Sequence, residues 1–182
     1  RELAGQPALQ ADMLDLVGDV QVKLGRYEEA AALFERSAGL RRATGGAESP
    51  ELAATLVRWA DSLLDPEVAE PLYREAASIQ AEVLGADHEA TLRTASHLGR
   101  LHFDRGDRER ASFELAETLA RQRRALGDRH PETMETQDAL ARVRLAERAF
   151  AEAERLFAGV LAEREGRLGE LHSTVAEALV NR

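Results

Sequence analysis

The chain has 182 residues, 44% of them hydrophobic but only 4% aromatic, with a formal charge of −9 at pH 7 and no cysteine. That length suits one ordinary domain or an array of stacked units, while the apolar share excludes a solvated coil and the abundance of Ala, Leu, Glu and Arg points to helices packed through small side chains. An acidic balance without a basic run argues against a nucleic-acid partner, and the lack of cysteine removes disulfides, thiolate nucleophiles and Cys-ligated zinc, which fits a cytoplasmic location.

The first predicted helix carries the pair Val17-Gly18 and ends near Gly25, where a left-handed turn is easily formed. A second helix follows with "YEEAAALF", Tyr27 to Phe34, in which Ala30 and Phe34 share one face by their i, i+4 spacing. The sequence "TGG", Thr44 to Gly46, then reads as a helix exit.

The same order recurs. Trp59-Ala60, Leu98-Gly99 and Leu140-Ala141 repeat the large-then-small pair, and Ala69/Tyr73, Ala111/Leu115 and Ala153/Phe157 repeat the small-then-large one. A small residue in the first helix of each pair lets two backbones approach closely. Trp59, the one tryptophan, is therefore expected to pack with Leu98 and Leu140 at buried positions.

Connectors mark the period. "LGADHEAT" at Leu84, "LGDRHPET" at Leu126 and "LGELHSTV" at Leu168 stand 42 residues apart, and Gly46, Gly85, Gly127 and Gly169 give steps of 39, 42 and 42. In each connector Gly supplies the residue after a helix, and a capping residue, often followed by Pro, opens the next. The second unit lacks the three residues of its internal turn, so Asp65 should cap a helix that starts at Pro66. Arg148 stands where Gly25 and Gly106 stand in other units, which predicts a tighter or strained turn.

These repeats predict an all-α fold of antiparallel helix pairs, each completing its neighbour's core. The expected organisation is one repeat domain over residues 1–182. Its units span approximately 8–46, 49–85, 88–127 and 130–169, with a partial fifth at 172–182. The N-terminus "RELAGQPALQ" lacks a signal-peptide core and an initiator Met, and "VAEALVNR" breaks off within a helical pattern, so a segment of a longer protein is expected. No run approaches the roughly 18 apolar residues of a membrane span, and no membrane insertion by this segment is expected.

The helix pairs and the L-G-x-x-H-P-x-T connector resemble the 42-residue tetratricopeptide repeats of kinesin light chains, from about Ala8 onward. The resemblance implies a right-handed superhelical solenoid whose first helices line a concave face. The stretch "QPALQADMLDLVGDVQVKLGRYEEAAALFERSAGLRR" is also similar to the repeat region that follows the kinase domain in bacterial serine/threonine kinases. The adjacent Asn residues of kinesin light chain repeats are missing, since the matching positions hold Asp15-Leu16, Val57-Arg58, Ser96-His97 and Asp138-Ala139. A Lys/Asn carboxylate clamp is likewise unsupported, because Asp15 and Asp19 occupy its first positions and would repel a carboxylate.

By the family pattern the outward positions of the first helices form a partner-binding groove. They are Asp12, Asp15 and Asp19; Val57, Arg58 and Asp61; Arg93, Ser96, His97 and Arg100; and Glu135, Asp138 and Arg142. The three Asp residues of unit one and the Arg93/Arg100 pair suggest a bound peptide that is basic near unit one and acidic near unit three.

Catalytic and metal motifs do not emerge. His88, His130 and the connector residue His172 lie one repeat apart, which suits helix capping and is too far for shared zinc ligation. His97 and His102 are read as core or groove lining. No nucleotide loop, G-x-S-x-G or H-E-x-x-H occurs, so neither enzyme activity nor a cofactor is expected. The expected function is a non-catalytic scaffold that binds another protein or peptide. The alternative is self-association or an intramolecular regulatory role, with Val175, Leu179 and Val180 of the partial fifth unit as the exposed face; a regulatory small-molecule site ranks third.

Overall fold

The computed structural model describes residues 6–44, 48–162 and 165. Seven helices run α1 Pro7–Lys23, α2 Tyr27–Thr44, α3 Pro50–Asp61, α4 Pro66–Val83, α5 Glu89–Asp104, α6 Arg108–Ala125 and α7 Pro131–Ala146. An eighth, α8, covers 150–162. Helix and turn account for the secondary structure of the described residues, without a strand. Gly46, Gly169, His172 and the partial fifth unit with Val175, Leu179 and Val180 lie outside the described residues.

From α1 to α7 each helix packs on its neighbours in the chain, and α5 also touches α7. That order follows from the small residues. Ala30, Ala69, Ala111 and Ala153 are buried within their pairs. A Cβ placed on Gly18 would lie 2.5 Å from the Phe34 ring, and one on Gly99 would lie 2.7 Å from Leu115 Cγ, so glycine sets how closely α1 meets α2 and α5 meets α6. Leu52, Leu56 and Ala76 belong to one core cluster, and Leu115, Leu140 and Val143 to another.

Capping agrees with the punctuation. Ser49 Oγ accepts from the Leu52 amide at 3.0 Å, and Asp65 Oδ1 accepts from the Glu67 amide at 2.9 Å with Pro66 as the first helical residue. His88 and His130 each use Nδ1 as the acceptor, from Ala90 N at 3.2 Å and Glu132 N at 3.3 Å. Gly85 and Gly127 adopt φ of 98° and 91° directly after the helices they end. Arg148 takes φ 63° in the turn position held by Gly25 and Gly106, so a side chain bears the left-handed strain there.

Two packing expectations need correction. Trp59 is only half-buried, lying at the edge of its cluster rather than inside it, and Leu98 behaves the same way. Val17, their counterpart in α1, is exposed, because α1 has no preceding helix over that face among the described residues.

Candidate functional site

The first helices α1, α3, α5 and α7 stand side by side, and a shallow depression of about 290–360 Å³ separates each consecutive two. Asp12, Asp15, Asp19 and Arg58 line the first; Asp61, Tyr73, His97 and Arg100 the second; Arg100, Glu135, Asp138 and Arg142 the third. Arg93 lies apart from all three, with Nη1 at 3.5 Å from Glu132 Oε1.

The acidic end is partly offset from within by Arg41 and Arg58. Arg41, on α2, donates from Nη2 to Asp12 Oδ1 at 2.8 Å and to Asp15 Oδ2 at 2.9 Å, while its Nε donates to Thr55 Oγ1 at 3.0 Å. Arg58 adds contacts of 3.5 Å to Asp15 and 3.4 Å to Asp19. The sequence offered no signal for Arg41, because a long side chain on the second helix can reach several neighbours.

Asp15, Val57 and Ser96 are buried rather than outward-facing. They share one repeat position, and it points at the neighbouring unit. Asp15 Oδ2 accepts from the Thr55 hydroxyl at 2.8 Å, and Ser96 Oγ accepts from Thr136 at 2.8 Å. Asp138, at the same repeat position in α7, stays half-buried and pairs with Arg142 at 2.8 Å. The inward Thr row was legible, since Thr55, Thr94 and Thr136 keep the 39- and 42-residue steps of the other markers.

The middle depression holds a second polar cluster, around Asp61. His97 Nδ1 lies 2.8 Å from Asp61 Oδ1, which also accepts a short hydrogen bond from the Tyr73 hydroxyl, and the Tyr73 and His97 rings meet edge-on with centroids 5.5 Å apart. Burial pushes the Asp61 carboxyl up, but hydrogen bonding and charge from His97, the Tyr73 hydroxyl and the Arg100 charge outweigh it and hold the group below its ordinary range. Burial and then the Asp61 charge push the Tyr73 hydroxyl well above the usual phenol range, so it remains a donor. Arg100 acts on both groups through space, yet has no hydrogen bond or ion pair among the described residues.

His102 is buried on the other side of α5, with Nδ1 at 2.6 Å from Glu114 Oε2 and Nε2 at 3.4 Å from Glu70 Oε1. It belongs to the packing between α4, α5 and α6. Among the described residues no group of three or more His, Asp or Glu is arranged to hold a metal ion. No helix among them is long and apolar enough to cross a membrane.

Comparison with known proteins places this architecture. A tetratricopeptide repeat family model matches residues 62–115. The fold is similar to BtubC (BKLC) from P. vanneervenii, with 22% identity and a TM-score of 0.80, over 90% of this chain and 66% of that one. It is also similar to the nearly identical TPR-like repeats of a putative kinesin light chain from Podosopora anserina, with 23% identity and a TM-score of 0.67, over 91% of this chain and 90% of that one. The apo form of RapI matches at 15% identity and a TM-score of 0.76, over 90% of this chain and 59% of that one. No curated protein sequence matches the chain. At such identities the solved structures speak for the fold alone. The described residues thus form an all-α solenoid of helix pairs with the fold of the tetratricopeptide-like structures it is similar to, and a tetratricopeptide repeat model matches residues 62–115.

Proposed function

We propose that the chain is a non-catalytic scaffold which holds a peptide or protein segment against α1, α3, α5 and α7, within a single repeat domain over residues 1–182. Stacked repeats offer an extended surface in place of an enclosed pocket, and tetratricopeptide repeats generally serve protein interaction. One observation carries the reading: Arg100 stands between two adjacent depressions with its guanidinium unpaired among the described residues. An acidic side chain of the partner would meet it there.

With Asp12, Asp15 and Asp19 partly met by Arg41 and Arg58, and Glu51 in the same depression, unit one keeps a reduced acidic excess for a basic segment. Asp19, Asp61, His97, Glu135, Asp138 and Arg142 remain as the groove's polar lining. The test is capture of the native partner by the intact chain, followed by titration against Arg100→Glu, since Arg93 is paired with Glu132 outside the depressions. Weakened binding with unchanged thermal unfolding is expected; equal affinity of the two proteins counts against this groove.

A second reading, self-association, is favoured by α1. Met13, Val17 and Val20 are 45–48% exposed, while Thr55, Leu101 and Val143, at the repeat positions of Met13 and Val20, are covered by a preceding helix. A second copy would cover the α1 face. Light scattering over a concentration series checks it: a mass that rises with concentration and is lowered by Met13→Lys/Val17→Lys supports self-association, and a constant monomer mass rules it out.

A further inference from the structure

The second unit is missing a helical turn, and the gap is a groove. Helix α3 has 12 residues where α1 has 17 and α5 and α7 have 16 each. In the third unit the last turn of α5 lies on the start of α4, where His102 and Arg105 both meet Glu70. In the fourth the end of α7 lies on α6, with Arg144 on Ser112 and Arg108 reaching the Ala146 carbonyl at 3.2 Å. Glu70 and Ser112 occupy the repeat position of Ala31 in α2. No corresponding turn of α3 extends over the start of α2, because α3 has already stopped at Asp61; Ala31 itself stays buried at the floor of the gap.

What is left is a groove of about 500 Å³ between α2, the end of α3 and the start of α4. Its apolar walls are Tyr27, Trp59, Leu63, Leu64 and Val68. Leu64 is 87% exposed, an unusual setting for a leucine with other large apolar side chains beside it. The rim is of one sign: Glu28, Glu35 and Asp65 line it and no Lys or Arg does. Glu28 and Glu35 have no hydrogen bond or ion pair among the described residues.

We propose that this groove is a docking site for a partner segment that presents a bulky apolar side chain flanked by Lys or Arg. The apolar walls take the bulky side chain, as a missing helical turn would otherwise be packed there. The unpaired carboxylates take the flanking cations. In the third unit an arginine of the covering turn, Arg105, meets a carboxylate, Glu70, in this way. This face is separate from the three depressions between the first helices.

Trp59 is the chain's one tryptophan and lines the groove, so its emission reports occupancy directly. The probe is a tryptophan-free peptide, Lys-Lys-Phe-Leu-Lys-Lys, with Glu-Glu-Phe-Leu-Glu-Glu as its charge-reversed control. A saturable blue shift with the lysine peptide and none with the glutamate peptide is expected. Glu28→Lys/Glu35→Lys should weaken binding about tenfold or more, and Ala32→Arg, which fills the groove from an exposed position, should abolish it. Both variants alter exposed residues, and unchanged thermal unfolding verifies that the fold is intact. Unchanged Trp59 emission, equal binding of the two peptides, or wild-type affinity in Glu28→Lys/Glu35→Lys would each overturn the proposal.

Discussion

Thr136 donates its hydroxyl to Ser96 Oγ at 2.8 Å across the joint between α5 and α7, with both residues buried. Thr55 does the same for Asp15 between α3 and α1, and Thr94 for Gln80 between α5 and α4. Successive units are thus held in register by one polar contact at a recurring position, surrounded by apolar packing. A hydrogen bond fixes the offset of two helices more sharply than dispersion contacts, which change little on a small slide.

Replacing Thr136 by Val keeps the shape and deletes the donor. The expected loss is about 1 kcal/mol, read as a lower urea midpoint with an unchanged slope. Adding Ser96→Ala should cost little more, since both partners of the bond are then gone. A double variant markedly weaker than the single one would mean that Ser96 serves another partner.

Two glycines in helices should respond to alanine with opposite signs. A Cβ on Gly99 meets Leu115 at 2.7 Å, while one on the exposed Gly39 of α2 meets nothing within 4 Å. Gly39→Ala should stabilise by about 0.5–1 kcal/mol through helix propensity. Gly99→Ala has the same propensity gain but must separate α5 from α6, and a net loss of about 1–2 kcal/mol is expected. Chemical denaturation of the two variants decides whether close approach at Gly99 sets the pair's spacing.

The fold was legible because repeats state each packing rule several times. Ala30, Ala69, Ala111 and Ala153 could be recognised as one position, and so could the Leu-Gly ends of α4 and α6. The groove was legible only in part. The position shared by Asp15, Val57 and Ser96 lies close to the boundary between the open face and the joint, and spacing along one helix does not say which side of that boundary a residue occupies; the neighbouring unit decides it. Arg41 shows a second limit, because it is 26 residues from Asp15 and on the other helix of its pair. The groove beside Trp59 was half-visible: the three-residue deletion was on the page, but what it uncovers depends on how α5 lies over α4.

Arg41 should be the costliest single surface-to-core contact to remove. Its guanidinium meets Asp12, the buried Asp15 and Thr55 at once, and Asp15 Oδ1 has no hydrogen-bond partner of its own. Arg41→Met leaves the Asp15 carboxylate with only Thr55 and a 3.5 Å contact to Arg58. A loss of about 3 kcal/mol is expected, from an uncompensated buried charge. Arg41→Met/Asp15→Leu should recover much of it. If the double variant is as weak as the single one, the cost lies in lost arginine packing and the charge pair is incidental.

Acid should act on the groove through Asp61. Its carboxyl is held below the ordinary range in the fold, so the unfolded chain binds the proton more readily and the group contributes stability only while it is ionised. That contribution is present above the unfolded carboxylate value, about 3.9, and is lost as pH falls through the lower folded value. Glu70 is shifted in the same direction and adds to the loss: burial raises it, but hydrogen bonds and charge from Arg74 and His102 prevail. Asp61→Asn keeps an acceptor for Tyr73 and removes the charge. Melting temperatures measured from pH 7 to pH 2.5 should show the variant lower than the wild type at neutral pH, with the two curves converging as the pH falls through the lowered folded value. Curves that stay parallel over the whole range would mean that Asp61 stabilises the fold by geometry and not by its charge.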